Sequence, residues 1–177
     1  FEDKELAQAS YETIEQLGLQ QEYYKLRYVR IIRAFKEFVI HQDIKSFLCM
    51  LSMHPKGLVE MDWSTLLNLF KYVVDENHSL LPENFKIRKN IVRLDGEEYD
   101  SQKDKIISML SAGEKIFVIS VYQTVGAGQN LQYEIDNNTE KTLIKTNDFP
   151  SRGEKDFDAI YLDKPTNVIT NLSPSLS

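Results

Sequence analysis

The sequence predicts an α/β domain, a mostly parallel sheet with helices on both faces in three layers, preceded by a helical extension. Short β-branched apolar runs alternate with longer segments of helical apolar spacing, the order that right-handed crossovers between parallel strands require. Lys115 to Val121 is apolar almost throughout, as a strand covered on both faces must be. With 177 residues and 42% hydrophobic content, the chain can bury one sizeable core.

The elements follow in order. Glu2 to Gln16 is a polar helix former, and Gly18 separates it from a second helical run, Gln20 to Ile40. In that run Tyr24, Tyr28, Ile31, Phe35 and Phe38 recur three or four residues apart and make one apolar stripe, widened by Val29, Ile32 and Val39. Arg27, Arg30, Arg33 and Lys36 recur every three residues and read as a solvated basic face paired with Glu22 and Glu37. Residues 1–41 are therefore expected to form a helical extension or linker, and residues 42–177 the α/β domain.

Ile44 to Ser52 reads as a buried strand ending at the turn-rich Met53 to Gly57. Asp62 or Ser64 then caps a helix carrying Leu66, Leu67, Leu69, Phe70, Val73 and Val74, which ends near His78 before Pro82. Phe85 to Leu94 is the next strand, with Lys86, Arg88, Lys89 and Arg93 as a solvated basic edge and Asp95-Gly96 as its turn. Asp100 or Ser101 caps the following helix, with Ser101 and Asp104 at capping-box spacing before Ile106, Ile107, Met109 and Leu110. Gly113 closes it. Residues 133–155 form a polar insertion near the expected hairpin arms Leu131 to Ile135 and Lys141 to Lys145, with Asn137-Asn138 at the turn. Ala159 to Leu162 is the fourth core strand.

Composition narrows the chemistry. A formal net charge of -6 gives no global attraction to a polyanion, so nucleic-acid binding needs a local patch. The single cysteine, Cys49, excludes an intrachain disulfide, and His41, His54 and His78 make no zinc spacing with it. Cys49 reads as an inert core thiol and Trp63 as a packing anchor. Asp95, Glu97, Glu98 and Asp100 serve helix capping and the helix dipole rather than a metal. No run approaches the roughly 20 apolar residues that span a bilayer, and the acidic amino end is unlike a signal peptide. A soluble, cytoplasmic setting without a membrane partner is expected. A first residue Phe1 and an ending in Ser-Pro-Ser-Leu-Ser suggest a piece of something longer.

The stretch most informative about function runs from Lys115 to Gln132. There the apolar strand stops at Gln123-Thr-Val-Gly-Ala-Gly-Gln-Asn-Leu131, a loop with two glycines. Amides freed by glycines at the carboxyl end of a strand can approach a phosphate or a ribose. Leu94-Asp95-Gly96 precedes it, and Tyr161-Leu-Asp-Lys-Pro165 follows it.

In this order, Leu94-Asp95-Gly96, a helix, Ile116-Phe-Val-Ile-Ser120, Gly126-Ala-Gly-Gln-Asn-Leu131 and Tyr161-Leu-Asp-Lys-Pro165 resemble the second RecA-like domain of superfamily-two helicases and translocases. The Swi/Snf-like branch is the most similar. The resemblance covers roughly Asp43 to Leu172 and implies a RecA-like, helicase C-terminal fold. It also implies a motor domain that contributes to binding nucleotide and the nucleic-acid backbone. Carried over, Gly126, Gly128 and Asn130 would face the nucleotide, and Gln123 and Thr124 the phosphodiester backbone. The strand ending at Ser52 resembles motif IV, which makes Ser52 and Lys56 further nucleic-acid candidates.

The departures limit the implied activity. The chain has no Gly-x-x-x-x-Gly-Lys-Ser/Thr loop, no Asp-Glu pair after a strand and no Gln-x-x-Arg-x-x-Arg pattern after Asp163-Lys-Pro165. A phosphate loop and an arginine finger supply most of the stabilisation in phosphoryl transfer, so the chain alone is expected not to hydrolyse ATP. ATP and Mg would be shared with a first RecA-like domain of the parent chain, and DNA or RNA would be the polymer. The alternative is a non-catalytic RecA-like interaction module that docks through its amphipathic Gln20 to Ile40 helix.

Overall fold

A computed structural model describes residue 12 and residues 22–52, 61–94, 96–125, 131–134 and 153–163. In chain order the helices among them are α1 (Glu22–Ile40), α2 (Trp63–Glu76), the short α3 (Ile87–Asn90), α4 (Tyr99–Ser111) and the single turn α5 (Tyr122–Val125). The strands are β1 (Ser46–Leu51), β2 (Ile91–Arg93), β3 (Ile116–Val121), β4 (Tyr133–Glu134), β5 (Glu154–Lys155) and β6 (Ala159–Leu162). Four strands form one parallel sheet in the order β2-β3-β1-β6, and β4 pairs antiparallel with β5.

The two central strands are buried at every position, as their unbroken apolar runs require. Alternate residues feed two cores. Phe47, Cys49, Leu51, Phe117, Ile119 and Val121 meet α1 and α2. Leu48, Met50, Ile116 and Val118 meet α4, together with Leu131 and Tyr133. The result is a three-layer α/β arrangement with a mostly parallel sheet.

The stripe on α1 is spent in the first core. Ile31, Phe35 and Phe38 are fully buried, and the Phe35 ring lies 4.2 Å from Phe70 and 5.1 Å from Phe117, centroid to centroid. Aromatic burial of this kind contributes the largest apolar areas available to a side chain. Asp62 caps α2 as its position predicts, its carboxylate accepting from the Thr65 amide at 2.6 Å. The Asp62 amide donates in turn to the Tyr28 hydroxyl at 2.5 Å, which ties the start of α2 to α1. Gly113 closes α4 with φ +77, and the Glu114 amide reaches back to the Met109 carbonyl, a Schellman closure.

Four expectations are corrected or refined. The strand expected over Phe85 to Leu94 contracts to Ile91–Arg93, because Asn90 winds the chain before it into a helical turn. Its carboxamide accepts from the Lys86 amide at 2.8 Å and donates to the Lys115 carbonyl at 3.0 Å. Lys86, Arg88 and Lys89 therefore do not alternate along a strand. The helix expected to be capped by Asp100 or Ser101 starts earlier. Burial of Tyr99 anchors its first residue, Glu98 is the cap residue, and the Ser101 hydroxyl donates to the Glu98 carbonyl at 3.1 Å.

Part of the expected hairpin arm is present as β4, and its partner among the described residues is β5. Lys141 to Lys145 lies outside the described residues, as do the expected turn at Asn137-Asn138 and the first expected helix, residue 12 excepted. The fourth strand is an edge, not a covered core strand. Ile160 and Leu162 are 57% and 59% exposed on the face that α4 leaves uncovered.

Candidate functional site

In an open parallel sheet the ends of the strands are not equivalent. Ligands bind outside the carboxyl ends, at the point where neighbouring strands send their connections to opposite faces. Here β1 leads to α2 on one face, while the chain that leaves β3 reappears at Leu131 and Tyr133 on the other, so the switch falls between the adjacent strands β1 and β3. Their paired carboxyl ends are Leu51 and Val121, followed directly by Ser52 and Tyr122. The helices α2 and α4 both begin at this end, with the positive ends of their dipoles turned to it.

A buried ion pair holds this end together. The Arg27 Nε donates to Asp163 Oδ2 at 2.8 Å, with both side chains almost wholly excluded from solvent. Asp163 follows β6, and its amide donates to the Met50 carbonyl of β1 at 2.9 Å. The Tyr122 hydroxyl donates to the Asp163 carbonyl at 2.6 Å, and the Tyr161 hydroxyl donates to Oδ1 at 3.2 Å. One aspartate thus joins α1, β1, β6 and the first residue of α5. Burial, then the Asp163 charge, pushes the Tyr122 and Tyr161 hydroxyls above their ordinary range. Burial first and Asp163 second push the Cys49 thiol up, with Arg27 only partly opposing, so Cys49 is an inert core thiol.

The sequence candidates divide around this frame. Ser52 stands at the end of β1, half-buried, with its Oγ buried and without a hydrogen-bond partner among the described residues. Gln123 and Thr124 lie in α5, immediately after β3. Thr124 is half-buried, and a Cβ on Gly96 would stand 3.9 Å from its Oγ1, so the ends of β2 and β3 meet there. Ser52 and Thr124 therefore lie at the ends of neighbouring strands. Lys56, Gly126, Gly128 and Asn130 lie outside the described residues, on segments that leave from these two strand ends.

At the carboxyl end of β2 is a polar recess of about 500 Å³ lined by Trp63, Arg93, Glu97, Glu98 and Gln102. The Arg93 guanidinium lies 5.8 Å from the centroid of the Trp63 ring. Trp63 packs against the core as its reading predicts, yet it also borders the recess. Among the described residues no group of three or more His, Cys, Asp or Glu could hold a metal ion. No described helix is long and apolar enough to cross a membrane.

Sequence reasoning missed Arg27 and gave Asp163 no role. Arg27 was assigned to a solvated basic face, but it is buried, whereas Arg30, Arg33 and Lys36 are exposed. The signal was present. At about 100° per residue, Arg27 lies about 40° from Ile31 and inside the apolar stripe. A charged residue inside a stripe requires a buried partner, and Asp163 supplies it.

No protein-family model matches this chain, and no curated protein matches it. The functional reading therefore rests on the order of the motifs and on where the sheet places their ends.

Proposed function

We propose that this chain is the second motor domain of an ATP-dependent helicase or translocase, gripping a nucleic-acid backbone and sensing nucleotide through the loops that leave β1 and β3. The observation that carries the reading is that the chain leaves the sheet towards Ser52 and towards Thr124 from the paired carboxyl ends of β1 and β3, at the switch point of a parallel sheet. The segments that resemble motifs IV and V begin at those two ends. The resemblance is RecA-like, and the three-layer arrangement is compatible with it.

In this reading Gln123, Thr124, Ser52 and Lys56 contact the backbone, and Gly126, Gly128 and Asn130 contact the nucleotide. ATP and Mg are held jointly with a first RecA-like domain, whose phosphate loop and acidic pair supply the chemistry. This chain contributes closure and grip, so alternation between open and closed pairs of domains would advance the strand. The test is made in the parent protein. Gly128→Leu or Asn130→Leu is expected to lower nucleic-acid-stimulated ATP hydrolysis at least about tenfold, equal to about 1.4 kcal/mol of barrier. Unchanged turnover with the fold intact removes the reading. Docking through the apolar stripe of α1 has less support, because Ile31, Phe35 and Phe38 are already buried in the chain's own core.

A further inference from the structure

We infer that the recess at the carboxyl end of β2 takes a single unstacked nucleobase that carries an exocyclic amine, cytosine, adenine or guanine in preference to thymine or uracil. The inference rests on the proposed nucleic-acid grip and adds base selectivity to it. The recess, at about 500 Å³, has room for one base, and its wall residue Glu97 follows Gly96, where a Cβ would stand 3.9 Å from the Thr124 Oγ1 of the proposed grip.

Among the described lining residues, Arg93 opposes a metal cation, and Glu97 and Glu98 oppose a phosphate or a carboxylate. A neutral planar group with donors on its edge fits this lining. Trp63 and the Arg93 guanidinium beside its ring offer aromatic and cationic planes on which a base can stack. Carboxylates accept from base amines, as in the pairing of Glu or Asp with the amino group of cytosine. Thymine and uracil present a carbonyl at the equivalent position, which a carboxylate repels. The Gln102 carboxamide donates to Glu98 Oε2 at 3.2 Å, which orients that carboxylate at the recess wall.

Trp63 is the only tryptophan of the chain and borders the recess, so its fluorescence reports on changes there. The 177-residue chain is titrated at low salt with end-labelled twelve-nucleotide oligomers of dC, dA and dT. Label anisotropy follows total binding, and Trp63 emission follows the recess. Quenching of Trp63 by dC and dA, with dT binding about five- to tenfold more weakly, is the expected result, as a base contact contributes about 1–3 kcal/mol. Glu97→Gln with Glu98→Gln, on the exposed start of α4, is expected to erase the difference between dC and dT while leaving circular dichroism unchanged. Trp63→Phe is expected to weaken dC binding.

Anisotropy binding with unchanged Trp63 emission, or equal binding of dC and dT, overturns the base site and leaves the backbone grip standing. Absence of oligomer binding by anisotropy overturns both.

Discussion

Two serines at the ends of β1 sit in opposite environments. Ser46, at the amino end, has its hydroxyl fully engaged. It lies 3.1 Å from the Tyr133 hydroxyl, donates to Asp158 Oδ2 at 3.1 Å and accepts from the Asp158 amide at 2.9 Å. Ser52, at the carboxyl end, buries an Oγ that has no partner among the described residues. Asp158 also accepts from the Lys45 and Ser46 amides and pairs with Lys155. Lys115 fastens the amino end further by donating to the His41 and Ile44 carbonyls at 2.6 and 2.7 Å. The amino end is closed by polar groups that satisfy one another. At the carboxyl end the described residues are joined through Asp163, by its buried ion pair with Arg27 and its bonds to Tyr122, Tyr161 and Met50.

The largest expected effect is at Arg27 and Asp163. Arg27→Met or Asp163→Leu alone strands one buried charge and is expected to cost about 3–5 kcal/mol in urea unfolding. Arg27→Met with Asp163→Leu is expected to recover most of that loss, since an apolar pair of similar volume removes the desolvation cost. If the double variant is as unstable as the singles, the hydrogen bonds to Asp163 rather than its charge hold this end together.

The serine comparison is sharpened by two alanine variants. Ser46→Ala leaves Asp158 and Tyr133 short of a partner and is expected to lose about 1–3 kcal/mol. Ser52→Ala is expected to change stability by less than about 0.5 kcal/mol, while weakening oligonucleotide binding under the proposed function. Equal losses at both serines would end the contrast between the two sheet ends.

Acid should find the amino end first. Burial by itself raises the Asp158 carboxyl, but Lys155 and the Ser46 and Lys45 amides outweigh it and hold it below the usual carboxylate range. A carboxylate depressed in the folded state stabilises the fold above its unfolded value of 3.8. That stability is lost as pH falls through the folded value. Asp158→Asn is expected to flatten this loss in unfolding measured below pH 4.

Lys115 gives an effect of opposite sign. Burial, and next the nearby Lys45, lower its ammonium to about 8 from 10.5, with Asp43 and Asp158 partly opposing. Between those values the unfolded chain holds more protons than the folded one, so stability rises with pH from about 8 towards 10.5. Lys115→Met is expected to remove that rise in urea titrations between pH 8 and 9.5. The upper bound stays below the ionisation of the tyrosines, whose raised values in the fold act in the other direction above about 10.

Elements with strong periodicity were legible in the sequence. The run Ile116–Val121, the stripe on α1, the Asp62 cap and the Gly113 closure are all local patterns, and the fold uses each as written. The strand at Phe85 to Leu94 was misread because Asn90 bonds to Lys115, 25 residues away, and that bond is invisible to a local window. Ser52 and Thr124 were legible as separate candidates. The pairing of the strands that carry them was not, since β1 and β3 meet across an intervening strand and three helices.

By itself the sequence determined the α/β class, the buried central strands and the order of the motifs, because hydrophobic period and turn chemistry act over a few residues. Only the tertiary structure decided which charges are buried. It brought Arg27 and Asp163 together across 136 residues, closed the amino end of the sheet around Asp158 and assembled the recess at Trp63. Burial and low local dielectric are properties of packed layers. Chain order alone therefore left Arg27 looking like one more surface cation.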